Sequence, residues 1–312
     1  MVFPAKSSRM MGAYPSELAR GVARVRIAIV NAYLVGEPGE SWILVDTGLP
    51  GSADLIRAAA AARYGAGARP EAILLTHGHF DHAGSAHELA VGWDVPIYAH
   101  ALEFPYVTGV SDYPPQDPTI GGALGFLSRF FPHSGRDLTR WLRPLPDDGG
   151  IPNAAGWRHI HTPGHTPGHV SLFRESDRVL LAADALATVN QDSALATATE
   201  RQELHGPPAP FTPDFESARR SLARLAELAP AAIGAGHGAP IVNQSVGADL
   251  RRFAATYAPP VGGRYTSQSA LTDDQGVVEV PPAVPDPLPR RAAAAALLAL
   301  TCAALFRGPD RS

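Results

Sequence analysis

Residues 23–35 ("ARVRIAIVNAYLV") partly alternate apolar and polar positions and are rich in β-branched side chains, which predicts a strand. "EPGE" follows as a turn, and "SWILVDTG" reads as the next strand. Residues 52–63 repeat apolar positions at helical spacing, and "EAILLTH" reads as a short buried strand ending at His77. This strand–turn–strand–helix–strand order predicts an α/β protein. Residues 157–186 read as two strands joined by a turn at 175–177. A strong amphipathic helix is expected over 213–228, then a short strand in "AAIGAGHG". Two stretches loosen the pattern. Residues 103–150 carry Pro and Gly punctuation around a short apolar helix, and residues 190–212 are similarly irregular. Residues 262–290 are polar and then Pro-rich, expected to wrap the surface or stay disordered. No fixed-period repeat is visible.

Composition narrows the class. The chain has 312 residues, 45% of them hydrophobic, enough for one large core or two smaller ones. Thirty prolines imply many rigid turns. The formal net charge is −4 and no basic stripe stands out, so no nucleic-acid partner is expected. One cysteine, Cys302, excludes an internal disulfide and leaves any metal site to His and carboxylate donors. The first 21 residues hold no apolar run long enough for a signal-peptide core, which favours a cytoplasmic location. The apolar run between Arg291 and Arg307 is shorter than the roughly 20 residues a spanning helix needs, so a packed helix is preferred and membrane contact is left open.

Against this background, "LLTHGHFDHAGS" places three of the twelve histidines, with Asp81, between His77 and His82. They follow a strand end, where α/β sheets expose functional groups. Residues two apart in an extended turn point the same way, so His77 and His79 can converge on one point, while Asp81 and His82 reach a second. Imidazole with carboxylate suits zinc and also iron or manganese. One turn cannot close two metal sites, so further donors are expected at other strand ends. Candidates are "HTPGHTPGH" over 161–169, Asp184 in "LAADA", His237 in "GAGHGAP" and Asp46 in "ILVDTG".

The ordered set "VDTG", "THGHFDHAG", "HTPGHTPGH", "AAD" and "GHG" resembles the five motifs of the metallo-β-lactamase superfamily. The resemblance covers roughly residues 25–240. It implies an αββα sandwich, two facing mixed sheets with helices outside. It further implies that His77, His79 and His165 bind a first metal, that Asp81, His82 and His237 bind a second, and that Asp184 bridges them. Asp46 matches the acid that orients a ligand, and His161 and His169 are expected as outer-sphere donors. Seven ligand positions satisfy two divalent metals, zinc foremost, with iron or manganese as alternatives. Within the family, Asp184 and the wording of "HFDHAG" are similar to the glyoxalase II-like and lactonase-like branches. Ala187 stands where acyl-homoserine lactonases carry tyrosine. About 80 residues separate His82 from His165, a longer path than in glyoxalase II.

The implied reaction is hydrolysis of a small ester, lactone or thioester by a hydroxide held between the metals, with Asp81 and Asp184 as the catalytic carboxylates. The alternatives are an iron-dependent, persulfide dioxygenase-like oxidoreductase, a phosphodiesterase, and a non-catalytic binding protein. The expected organisation is a metallo-β-lactamase domain over 20–245, with 103–150 as an insertion capping the pocket. A Pro-rich extension over 246–290 and an apolar helix over 291–307 would follow. Aromatics of the insertion, Tyr106, Tyr113, Phe126 and Phe130, and His205 beyond it, are candidate pocket residues for an apolar acyl substrate. A small-molecule acyl substrate is the expected partner, with a homodimer left open.

Overall fold

The computed structural model describes residues 15–135, 137–286 and 288. Seven strands form the first sheet in chain order: β1 (Ser16–Ala19), β2 (Val22–Ile27), β3 (Val30–Val35), β4 (Ile43–Val45), β5 (Ala72–Leu74), β6 (Ile97–Ala99) and β7 (Leu142–Pro144). Neighbours are antiparallel up to β4 and parallel from β4 to β7. The second sheet is built from β8 (Trp157–His161), β9 (Val170–Arg174) and β10 (Val179–Ala183). After a two-stranded ribbon, β11 (Ala187–Val189) with β12 (Gln202–His205), it is completed by β13 (Ala232–Ala235) and β14 (Ile241–Val242). Its order is β14-β13-β10-β9-β8, with only β10 and β13 parallel. The expected α/β sandwich of two facing mixed sheets is therefore the observed fold.

Strand alternation explains the layers. In β4, Ile43 and Val45 face the second sheet, where they pack with Tyr33, Leu74, Leu172 and Leu181. Leu44 points the other way, toward helices α1 (Ala53–Tyr64) and α2 (Ala86–Trp93), and packs with Ile56 and Leu89. A strand covered on both faces reads as a continuous apolar run, as "WILV" does. Leu44 is fully buried. Leu44→Ala is expected to destabilise the fold by about 2–5 kcal/mol in chemical denaturation, because the packed layers collapse only partly around the lost atoms.

Three short helices lie in the loops: α3 (Phe104–Val107), α4 (Gly122–Ser128) and α5 (Ala194–Thr199). The outer face of the second sheet is covered by α6 (Phe215–Glu227) and α7 (Val246–Thr256). In α6, Ala218, Leu222, Leu225 and Ala226 form the buried stripe. Its start is fixed by Asp214, whose carboxylate accepts from Ser217 N at 2.9 Å.

Several expectations are corrected. Residues 23–35 are a hairpin and not one strand. The chain reverses at Ala28, whose φ is +55°, and Ile29 is exposed. The turn escaped notice because it contains no Gly, Asn or Pro. The insertion is not wholly irregular, since β7 extends the parallel part of the first sheet. The extension expected from 246 begins with α7, packed on α6. Residues 262–290 include a hairpin, β15 (Leu271–Asp273) and β16 (Gly276–Glu279). It is tied to the insertion by Val277 N donating to Ser111 Oγ at 3.2 Å. The apolar segment 291–307, with Cys302, lies outside the described residues. No helix among the described residues is long and apolar enough to cross a membrane.

The C-terminal ends of β4, β5, β8, β10 and β13 lead into the segments that carry Asp46, residues 76–82, the 162–169 loop, Asp184 and His237.

Candidate metal centre

Two donor groups meet where these segments converge. His77, His79 and His165 form one, and Asp81, His82 and His237 form another, each with its ligand atoms within 4.8 Å of one another. His165 Nε2 lies 2.9 Å from His79 Nδ1 and 3.2 Å from His77 Nε2. Three nitrogens around a tetrahedral zinc, each ~2.05 Å from it, would lie about 3.3 Å apart, so the triad is close to the spacing a cation needs. Asp184 stands between the groups. Its Oδ2 is 3.4 Å from His165 Nε2 and 3.3 Å from His237 Nε2, and its Oδ1 is 3.4 Å from His82 Nε2. Asp81 Oδ2 is 3.5 Å from His237 Nε2 and 4.0 Å from His82 Nε2.

Local structure explains why these atoms point inward. Asp184 follows a register shift at the end of β10, where Ala183 has φ +47°. The bulge turns the carboxylate out of the strand alternation. Its backbone N–H donates to His169 Nε2 at 3.0 Å, while His169 Nδ1 faces Thr162 Oγ1 at 2.8 Å. Burial holds His169 down at about 3, which keeps it neutral and able to accept that bond. Opposite Asp184, a Cβ on Gly236 would collide with its Oδ1, so the β13 end must be glycine there for the carboxylate to fit.

The non-facing nitrogens of three of the donor histidines are also held. His82 Nδ1 is 2.8 Å from Asp46 Oδ2, His237 Nδ1 is 2.9 Å from Ile29 O, and His77 Nδ1 is 3.1 Å from Thr76 Oγ1. Such partners leave Nε2 as the lone pair facing the site. Asn31 braces the His237 turn, its amide donating to Ala235 O at 2.9 Å and Gly238 O at 2.8 Å.

Electrostatics separate the groups. Burial pushes His79 down to about 4, and pushes His77 and His165 well below the usual histidine range with neighbouring imidazoles adding to the effect. This triad offers free lone pairs at neutral pH. Burial opposes charge on His82 too, but Asp184, Asp81 and Asp46 outweigh it and hold its pKa well above the usual range. Burial likewise opposes the charge of Asp184, but His237 and His82 hold it well below the usual carboxylate range. Positive charge is thus favoured between these carboxylates. His82 Nε2 and Asp184 Oδ1 are buried yet make no hydrogen bond. Unpartnered buried polar atoms of this kind are costly, and a divalent cation satisfies both. The donor set therefore suits divalent metal ions.

The groups open on a cavity of about 300 Å³. Its polar floor includes His79, Asp81, His165, Asp184 and His237, and its walls include Leu49, Phe80, Leu124, Phe131 and Phe211.

Several residues expected at the pocket or the ligands lie elsewhere. Tyr106 is fully buried and stacks on Tyr113 with ring centroids 4.2 Å apart, so it belongs to the packing beneath the site. Tyr113 is also buried, with its ring 4.5 Å from that of His79 and its hydroxyl turned to Glu103. Phe126 and Phe130 point to solvent from α4 and beyond it, and their neighbours Leu124 and Phe131 take the cavity positions instead. His205 sits on β12 with Nε2 3.9 Å from Asp192, away from the cavity wall. His161 contacts no donor histidine. It stacks on His100 at 4.2 Å, and its Nε2 is 2.7 Å from Pro167 O, so it supports the 162–169 loop. Asp46 and His169 do touch the donor groups. Sequence reasoning missed Thr76, Glu103, Asn31 and Phe211. Helical spacing could have separated Phe126 from Leu124, but nothing local marked Glu103 or Phe211.

The same architecture is found in known proteins. A metallo-beta-lactamase family protein of Thermus thermophilus superposes with a TM-score of 0.50 at 25% identity, over 77% of this chain and 78% of that one. The Rm3 metallo-beta-lactamase gives 0.51 at 23% identity over 93% of each chain. Probable metallo-hydrolase YflN of Bacillus subtilis (strain 168) is 46% identical over 241 residues, 76% of this chain and 91% of that protein. Hydroxyacylglutathione hydrolase GloC of Haemophilus influenzae is 30% identical over 116 residues, 36% of this chain and 49% of that protein. The sequence model of the metallo-beta-lactamase superfamily matches residues 25–237, which hold both donor groups and the strands from β3 to β13, and the chain belongs to that superfamily.

Proposed function

We propose that the chain is a two-cation metallo-hydrolase that cleaves a small, uncharged ester, lactone or thioester with an apolar acyl part. The observation that carries this reading is the convergence of two donor groups, linked through Asp184, on the floor of an apolar cavity. The names of the relatives YflN, a probable metallo-hydrolase, and GloC, a hydroxyacylglutathione hydrolase, support hydrolysis. His77, His79 and His165 would hold one cation, Asp81, His82 and His237 the other, with Asp184 shared. The nitrogen-rich set favours zinc. Bound there, the cations supply Lewis acidity for an acyl oxygen and acidify water to near neutral pH.

The chain's own groups orient and exclude. Asp81 has a side chain 18% exposed against 3% for Asp184, so it is the carboxylate placed to take up and pass on a proton, through the oxygen it does not turn to His237 and the second cation. Leu124, Phe131 and Phe211 seat the acyl part and keep water from it. Gln191 lines the same cavity with a buried, unpartnered Oε1, a neutral handle for a substrate donor. No Arg or Lys is among the described lining residues. A carboxylate or phosphate group on the substrate would therefore lie unpaired against apolar wall, at a desolvation cost that disfavours glutathione thioesters and phosphodiesters.

The test is steady-state hydrolysis by zinc-loaded protein of acyl esters, lactones and thioesters in neutral and carboxylate-bearing pairs of matched size. The neutral member is expected to have kcat/KM at least about tenfold higher, the ratio that ~1.4 kcal/mol of discrimination gives. Equal rates for the pairs would remove the neutral-substrate reading. No hydrolysis of any acyl compound by protein that carries its cations would remove the hydrolase.

A further inference from the structure

Glu103 opens the insertion and has no exposed surface. Its carboxylate takes four hydrogen bonds from three separate segments. Oε2 accepts from Gly78 N at 3.0 Å and from the Tyr113 hydroxyl. Oε1 accepts from Thr166 Oγ1 and Gly168 N, each at 2.7 Å. Gly78 is the residue between His77 and His79, and Thr166 and Gly168 lie between His165 and His169. One carboxylate therefore joins the two loops that carry the histidine triad.

Both loops are pressed onto this group. A Cβ on Gly78 would lie 2.6 Å from Tyr113 Oη, and one on Gly168 would lie 2.8 Å from Glu103 Cγ. Glycine at these positions of "THGH" and "HTPGH" is what permits the approach. No Arg, Lys or His pairs with Glu103 among the described residues. A buried carboxylate without a cation is unfavourable unless donors saturate it. Four donors on two oxygens do so. An amide could not, because its NH2 would face one of the two backbone N–H groups, and a backbone N–H cannot turn round to accept.

We propose that Glu103 is a positioning residue for the metal centre: its carboxylate clamps the His77–His79 loop to the His165–His169 loop and sets the separation at which the three histidines meet. The inference rests on the reading that this triad binds a cation. It assigns to the insertion a role in metal affinity that is separate from shaping the cavity.

The test compares the full-length wild type with Glu103→Gln and Thr166→Val. Zinc is withdrawn against a graded chelator, and the cobalt-substituted proteins are compared by visible absorption. The melting temperature of each cation-free protein is recorded alongside. In Glu103→Gln one of two zinc ions is expected to dissociate at about 10–100-fold lower chelator strength, the range for loss of an outer partner, with an altered cobalt spectrum. Thr166→Val loses one contact and keeps the carboxylate, so a smaller shift in the same direction is expected. It also serves as the test if the glutamine variant does not fold. A lower melting temperature with wild-type zinc retention and an unchanged cobalt spectrum in the folded variants would overturn the clamp and leave a structural staple. Wild-type protein that takes up no cation would overturn the underlying metal reading instead, an outcome seen before any variant is measured.

Discussion

Asp184→Asn is expected to lower kcat/KM for the best acyl substrate by about 10³-fold and to cut the zinc retained after dialysis from two ions per chain to one or fewer. The size follows from position. Asp184 places its carboxylate against both donor groups, with Oδ2 3.4 Å from His165 Nε2 and 3.3 Å from His237 Nε2, and Oδ1 3.4 Å from His82 Nε2. Asparagine keeps the shape and leaves the backbone N–H on His169 Nε2 in place. What it removes is one negative charge in a buried site, and an amide nitrogen replaces one donor oxygen. Preorganised charge in a site closed to water is worth far more than at the surface, and loss of a single such group commonly reduces turnover by about 10²–10³-fold. Loss of a shared ligand adds the weaker hold on the cations. Metal analysis and kinetics on the same dialysed sample check both effects. Two zinc ions per chain with at least a third of the wild-type rate would sink the assignment of Asp184 as the shared ligand.

The clarity of the sequence tracked how local each signal was. The segment 77–82 could be read directly because its donors lie within one turn, Asp184 and His237 each follow an apolar strand, and His165 stands in the histidine-rich run "HTPGHTPGH". The structure brings six of the seven donors into two adjoining groups and sets Asp184 between them. The α/β class was equally legible, since β4 and β5 are continuous apolar runs and α6 shows one apolar stripe, whereas the sandwich was implied by the resemblance of the five motifs. The pocket was not, because its walls come from separate segments: Leu124 and Phe131 from the insertion, and Phe211 from the loop before α6. An aromatic cluster in sequence says which residues are near one another and not which face of a short helix they occupy. On α4, Phe126 faces solvent while Leu124, two residues before it, lines the cavity. Glu103 was invisible for the same reason. Its backbone partners Gly78 and Gly168 lie 25 residues back and 65 residues further on in the chain, and a lone glutamate in a loop reads as solvated.

Asp46 gives the second large effect, and two substitutions separate its two roles. Its φ is +60°, in the left-handed region that Asp and Asn enter more readily than other non-glycine residues. From there Oδ1 accepts from Thr76 N at 2.8 Å, and Oδ2 is 2.8 Å from both Thr76 Oγ1 and His82 Nδ1. The carboxylate thereby holds the strand end that carries His77 and keeps the proton of His82 on Nδ1, so that Nε2 faces the site. Asp46→Asn preserves the backbone conformation and the bond from Thr76 N. Its amide nitrogen then meets His82 Nδ1–H, donor against donor, and the ring is relieved by moving its proton to Nε2, which blocks the lone pair a cation requires. Zinc affinity is expected to fall by about 10–100-fold, with the melting temperature of the cation-free protein nearly unchanged. Asp46→Ala loses the same affinity and also stability. It places alanine in the left-handed region at roughly 1–2 kcal/mol. It also strands the buried groups that Asp46 accepted from, at about 1–3 kcal/mol for each one left without a partner. The expected signature is two variants alike in zinc retention but several kcal/mol apart in denaturant unfolding without metal. If Asp46→Asn retains zinc as the wild type does, the carboxylate only braces the turn, and the orientation of His82 must come from its packing against His77, whose ring centroid is 4.2 Å away.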